Sequence, residues 1–251
     1  MSGHSKWASI KHQKGATDAK RAKVFTRLGH AVTIAARLGG GDATTNPRLA
    51  LAVDMAKKNN MPKDNIDRAI KRGTGELGGA IAEDITYEGY GPGGTAILIE
   101  TLTDNRNRTV NEIRNVFNKL GGKLGEAGSV AYLFKPRGVI TVAKEANKSE
   151  EIEMAIIESG ADDYQETDEG FIVLTDPQHL TTTKAALEAA GLSVIGAEQA
   201  QHPTQTMTIT DEKIASQIVR LMNALEELDD ISNVSGNFAI DDALLEKIES
   251  T

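Results

Sequence analysis

The sequence predicts an α+β protein: an N-terminal three-helix bundle followed by two ferredoxin-like α+β domains, one inserted in the other. Three observations carry this. Up to Gly73 the apolar residues recur at helical spacing. Beyond a glycine-rich stretch, short β-rich runs alternate with helices. The order of those runs spells βαββαβ twice, the second copy lying inside the first. The expected domains are residues 1–78, residues 79–135 plus 204–251, and residues 136–203.

In the first helix, between Thr17 and Leu38, Val24, Leu28, Val32, Ala35 and Leu38 share one stripe, and Gly39-Gly40-Gly41 stops it. Asn46 caps a second helix with Pro47 in its first turn and Leu49, Ala52, Val53 and Ala56 inward. A third, from Pro62 to Arg72, turns Ile66, Ala69 and Ile70 inward and stops at Gly73. Residues 73–82, rich in glycine and small side chains, read as a linker.

Residues 85–88 and 95–103 then read as strands, 107–120 as a helix with Val110, Ile113, Phe117 and Leu120 inward, and 129–134 as a strand. Much later, 206–210 reads as a strand, 211–228 as a helix with Ile214, Ile218, Leu221 and Leu225 inward, and 231–235 as a strand. Between these halves, strands at 139–143, 162–165, 171–175 and 194–198 alternate with helices at 149–159 and 177–190, which end at Gly160 and Gly191. A hairpin tip is exposed and accepts such an insertion.

The 251 residues are 39% hydrophobic and 25% charged, ordinary for a globular chain, but only 4% aromatic, so the core must be aliphatic. There is no cysteine, which excludes disulfides, thiolate metal sites and a cysteine nucleophile and suits a reducing compartment. No signal-peptide stretch follows the basic N-terminus, and no run approaches the roughly 18 apolar residues of a membrane span. The expected location is the cytoplasm, with no membrane partner.

Charge is unevenly divided. The first 73 residues hold 15 Lys and Arg against 5 Asp and Glu, a balance of +10, whereas the whole chain stands at −8 and the remaining 178 residues therefore at −18. A cationic module on an acidic body points to a polyanion, and nucleic acid is the usual one. On the first helix Lys20, Lys23 and Arg27 form a stripe, with Arg21 beside it. The second adds Arg48, Lys57 and Lys58, and the third adds Lys63, Arg68, Lys71 and Arg72. Ahead of them lies a polar segment with Lys6, Trp7, Lys11 and Lys14, which cannot bury enough surface to fold alone and is expected to order on a partner. Trp7 either stacks on a base or packs back on its bundle.

A further cluster, Asp104 to Thr109, follows a strand and opens a helix, with Thr109 and Glu112 in capping-box register. Its Arg106 and Arg108 either meet phosphates and base edges or bridge to the acidic body. The literal G-x-G-x-x-G of residues 89–94 is followed by a strand, not a helix, so it reads as a hairpin turn and not as a dinucleotide site. His4, His12, His30, His179 and His202 show no metal-ligand spacing, so neither metal nor cofactor is expected. The acid pairs Asp162-Asp163, Asp229-Asp230 and Asp241-Asp242 sit at element ends and read as solvated; no catalytic set is evident, and the chain is expected not to be an enzyme.

Read together, Gly3-His4-Ser5-Lys6-Trp7, Asn46-Pro47-Arg48-Leu49, Asn60 to Ile66, Tyr87 to Gly94 and Asp104 to Thr109 resemble the YebC family. The resemblance covers essentially the full chain and is densest up to Phe134. It departs at Ala43, at Ala50 and at Gly29-His30, where proline, a basic residue and a charged pair are usual, which slightly weakens the basic face. The resemblance implies a three-domain cytoplasmic protein described as a probable DNA-binding transcriptional regulator. Among relatives it also implies a mitochondrial translational activator of cytochrome oxidase, and bacterial members linked to ribosomes stalled on proline-rich sequences. Two readings therefore stand: a DNA-binding transcriptional regulator, or a translation factor bound to ribosomal RNA and ribosomal proteins. Phosphate contacts alone do not separate them. A monomer is expected.

Overall fold

A computed structural model describes residues 18–78, 82–144, 149–167 and 170–249. Its helices followed by two antiparallel-sheet domains agree with the expected α+β class. Described residues 18–134 and 203–249 form one compact unit, and described residues within 135–202 form a second.

Helices α1 (Asp18–Gly39), α2 (Pro47–Lys58) and α3 (Lys63–Thr74) enclose a core of Val32, Ala35, Ala36, Leu49, Ala56, Met61, Ile66 and Ala69. Two residues of the expected apolar stripe, Val24 and Leu38, are exposed instead. The physical reason is length: α1 has 22 residues and its two partners 12 each, too short to cover both its ends. Asn46 caps α2 as expected, its carbonyl accepting from Leu49 N–H at 3.1 Å. Its amide also donates to the carbonyls of Ala35 at 2.8 Å and Gly40 at 2.9 Å, so one buried side chain closes the loop between the first two helices. Gly73 does not stop α3; Gly75, at φ 81°, does. Gly73 serves a close approach, since a Cβ there would lie 2.4 Å from the Thr33 carbonyl of α1.

The α+β domain begins with the hairpin of β1 (Glu83–Tyr90) and β2 (Ala96–Thr103), in register from Glu83 opposite Thr103 to Tyr90 opposite Ala96. Its turn is Gly91-Pro92-Gly93-Gly94, with Gly93 and Gly94 at positive φ, so this glycine-rich motif is a hairpin. β3 (Lys123–Leu124) and β9 (Ile231–Gly236) flank the pair in the order β3-β1-β2-β9. Helices α4 (Arg106–Lys119) and α7 (Glu212–Glu226) bury Ile113, Phe117, Ile218, Leu221 and Leu225. The ring of Phe117 lies against Gly89, where a Cβ would meet it at 2.6 Å.

Two expected strands differ here, and the strand order is not the ferredoxin one. Residues 129–133 form a loop and a 3-10 turn at Ala131–Leu133, leaving only Phe134 of the expected strand extended, because the buried carboxylate of Glu88 captures the N–H groups of Gly128, Val130 and Ala131 at 2.6, 2.6 and 2.7 Å. Those donors would otherwise be available for a sheet ladder. The segment 206–210 contains β8 (Met207–Ile209), which pairs in parallel with β10 (Phe238–Ile240) in a separate two-stranded sheet. Helix α8 (Asp242–Glu249) follows it.

In the second unit β4 (Phe134–Ala143), α5 (Ser149–Glu158), β5 (Asp163–Thr167), β6 (Gly170–Thr175), α6 (Leu180–Ala189) and β7 (Val194–Pro203) run βαββαβ. The sheet order β5-β6-β4-β7 is the ferredoxin-like arrangement expected from sequence. Ile140, Val142, Ile152, Ile156, Phe171, Val173 and Leu187 fill its core.

Candidate nucleic-acid interface

Amphipathic spacing fixes what the bundle shows outside. In α3, Ile66 and Ala69 are buried, which turns Lys63, Arg68, Lys71 and Arg72 out to solvent. In α2, Leu49, Met55 and Ala56 face inward, leaving Arg48, Lys57 and Lys58 exposed. Lys58 lies 3.9 Å from Asp54 one turn back. Arg48, Lys57, Lys63, Arg68, Lys71 and Arg72 make no ion pair among the described residues.

The stripe expected on α1 divides. Lys23 is drawn to the α+β domain, donating to the Glu227 carbonyl and lying 3.3 Å from the Glu227 carboxylate and 3.9 Å from Asp229. Arg27 is half-buried, and its guanidinium and that of Arg72 both act on His30. Burial, then Arg72, then Arg27 lower the His30 pKa to about 4 against the opposing pull of Asp230 and Asp229, so the imidazole is neutral at physiological pH. It shares a 3.2 Å hydrogen bond with Ser232 of β9. Arg37, outside the expected set, bonds the Ala82 carbonyl and the Asp84 carboxylate. Burial pushes the Asp84 carboxyl up, opposed by Arg37 and Arg48. A polar seam thus joins α1 to the α+β domain. The side chains of Lys20 and Arg21, and all of Lys6, Trp7, Lys11 and Lys14, lie outside what the structure describes.

At the second cluster the helix cap is Asn105, accepting from Arg108 N–H at 3.1 Å, and not Thr109. Thr109 is buried inside α4 and donates to Asp230 at 2.6 Å. Arg108 donates to both Asp230 oxygens at 2.9 Å and to Asp104 at 3.2 Å. Arg108 thus bridges to acids of its own chain, one of the two readings open for it. Asp230 is correspondingly not a solvated end residue: its side chain is 13% exposed. Burial raises its carboxyl pKa, but hydrogen bonds from Thr109, Arg108 and Thr103 outweigh that and hold it below the usual carboxylate value. Arg106 is exposed.

Sequence reasoning missed Glu88, Arg37 and the Asp230 cluster. An acid set inside the otherwise buried end of a strand was the available signal for Glu88; nothing local marked Asp230, whose partners lie more than a hundred residues away. Among the described residues no group of three His, Asp or Glu could hold a metal ion, and no helix is long and apolar enough to cross a membrane.

The TACO1/YebC protein N-terminal domain matches residues 5–76, and the TACO1/YebC second and third domain matches residues 82–238. A probable transcriptional regulatory protein of Geobacter sulfurreducens is 52% identical over 248 residues, covering 99% of this chain and 100% of its own. One from Desulfotalea psychrophila is 50% identical over 248 residues, covering 99% of each. The crystal structure of a conserved hypothetical protein from Aquifex aeolicus superposes with a TM-score of 0.88 at 46% identity, covering 94% of this chain and 98% of that one. With both domain matches and full-length relatives at this identity, the chain belongs to the TACO1/YebC family.

Proposed function

We propose that this protein is a non-enzymatic cytoplasmic regulator that binds nucleic acid through the exposed cations of α2 and α3, with duplex DNA as its target and transcription as its process. The observation that carries the reading is the group Arg48, Lys57, Lys63, Arg68, Lys71 and Arg72, exposed and without ion pairs among the described residues, in a chain that is otherwise strongly acidic. Supporting the DNA target, residues 59–62 join α2 to α3 with Asn60 at φ 59°, the connection length of a helix-turn-helix. The relatives' names, probable transcriptional regulatory proteins, support transcription as the process.

A second reading, structured RNA on the ribosome, is supported by the same cations being spread over both helices instead of gathered at the start of α3, where a DNA-reading helix places its base contacts. Gel shift on duplex promoter DNA at physiological salt, beside sedimentation with ribosomes, tests the proposal. A sequence-dependent shift lost in the Arg68→Glu, Lys71→Glu, Arg72→Glu variant is expected. Ribosome association without any such shift overturns the transcription reading.

A further inference from the structure

Tyr132 is 72% exposed, the most exposed of the large hydrophobic side chains in the described residues. Its turn is nonetheless tightly held. Val130 and Phe134 on either side are buried in a cluster with Ala96 and Leu98. The N–H groups of Val130 and Ala131 are on the Glu88 carboxylate, and the Leu133 carbonyl accepts from Thr204 N–H at 2.8 Å and Thr204 Oγ1 at 3.0 Å. The backbone is fixed on both sides and the ring alone is left in solvent. Tyr90, 41% exposed, donates its hydroxyl to the Ser129 carbonyl at 3.0 Å, which holds a second ring beside the same turn. Opposite Tyr90 in the β1–β3 register stands exposed Lys123, and open glycine turns at Gly94, Gly121 and Gly128 lie at this end of the sheet.

We infer that Tyr132 and Tyr90 form a base-stacking platform, a second nucleic-acid contact that takes an unpaired base of a single strand while Lys123 meets its phosphate. The inference rests on the nucleic-acid reading above. A rigid aromatic presented in advance loses little entropy on binding, and every base offers a π face. The aliphatic neighbours of Tyr132 are turned into the cluster beneath it, and exposed Lys123 and the open glycine turns leave room beside the rings for a flat base and its backbone.

The test is fluorescence anisotropy of the full chain with oligouridylate, oligothymidylate and an abasic strand of equal length. Tyr132→Ala is expected to weaken both base-bearing strands at least about fivefold, the lower end for one stacked base, with the abasic strand and the salt slope unchanged. Tyr132→Phe should bind as wild type, and the exposed position should leave Tm unaltered. The tighter of the two base-bearing strands identifies RNA or DNA as the source of the base. The Arg68→Glu, Lys71→Glu, Arg72→Glu variant should instead weaken all three strands and flatten the salt slope. If Tyr132→Ala binds every strand as wild type while the charge-reversed variant does not, the platform is refuted and the bundle reading stands. If wild type binds no strand, the platform is refuted, while the duplex reading stands or falls by its own gel shift. If Tyr132→Ala releases a bound protein without changing strand affinity, the surface is a protein contact and the platform is refuted.

Discussion

Replacing Glu88 by Gln tests whether one buried carboxylate holds the turn that presents Tyr132. The carboxylate, 7% exposed, takes Gly128 N–H on one oxygen and Val130 and Ala131 N–H on the other. A glutamine offers one acceptor oxygen. Placed to satisfy Val130 and Ala131, it points its own NH2 at the Gly128 donor, so at least one bond is lost and the others lose their charge. Hydrogen bonds to charged groups contribute roughly 1.5–3 kcal/mol each, so the expected destabilisation of the turn is about 2–4 kcal/mol. Glu88→Ala, leaving three donors unmatched, should cost more. Amide hydrogen exchange at Gly128, Val130 and Ala131 reads the effect locally, and urea unfolding reads what reaches the whole domain. The pH dependence has a definite sign. Burial raises the Glu88 carboxyl pKa, but the N–H donors of Gly128, Val130, Ala131 and Ser129 outweigh it, leaving it below the ordinary value. Its contribution is therefore complete above the unfolded glutamate pKa of about 4.3 and is lost as pH falls through the lower folded value. The gap between wild type and Glu88→Gln should be constant near neutrality and close in acid. Unchanged exchange at the three amides, or a gap that widens in acid, would refute this account.

Three further outcomes follow from the bundle. Asn46→Ala removes the α2 cap and both bonds to Ala35 and Gly40, so a loss of about 2–4 kcal/mol in urea unfolding is expected from a buried polar tie. Gly73→Ala drives a methyl to 2.4 Å from the Thr33 carbonyl and should lower stability by about 1–3 kcal/mol through overpacking, whereas Gly41→Ala meets only the ends of Thr74 and Ile70 and should cost less. His30, buried and neutral with its pKa near 4, should make the protein acid-sensitive. The unfolded imidazole binds a proton below its ordinary pKa of about 6.5 and the folded one does not, so stability should fall from there down to the folded value, by roughly 3 kcal/mol in all. Replacing it with Gln should flatten that slope in thermal melts taken across the range.

Much of the fold was legible because it is written in local pattern. The three helices follow from apolar spacing with Asn46, Pro47 and the glycines that end α1, and the hairpin from Gly91-Pro92-Gly93-Gly94. The inserted ferredoxin-like sheet follows from regular alternation of short runs. What failed was pairing that depends on a distant side chain. Residues 129–134 have the composition of a strand, and only the Glu88 carboxylate, forty residues earlier, diverts their N–H groups. Thr109 stands in capping-box register yet is claimed by Asp230, while Asn105 takes the cap. The short strands β3 and β10 fall below the length at which periodicity carries a signal.

The same distance effect alters the meaning of the charge split. Counted along the sequence, every lysine and arginine before Gly73 adds to one cationic module. In the folded chain the described cations do not share one assignment. Lys23 and Arg37 face carboxylates of the α+β domain, and with the His30–Ser232 bond they hold α1 against it. Arg48, Lys57, Lys63, Arg68, Lys71 and Arg72 make no such pairs among the described residues. Part of the opposite charge is therefore mortar between neighbouring elements, and only the remainder is available to an external phosphate. Lys23→Glu would set a carboxylate against Glu227 and Asp229 and disturb the seam, so lost binding in that variant would not by itself locate a phosphate contact. Arg68→Glu and Lys71→Glu alter solvent-exposed side chains that make no ion pair among the described residues, so their effect on the salt slope reads the interface, whereas Arg72 also acts on His30.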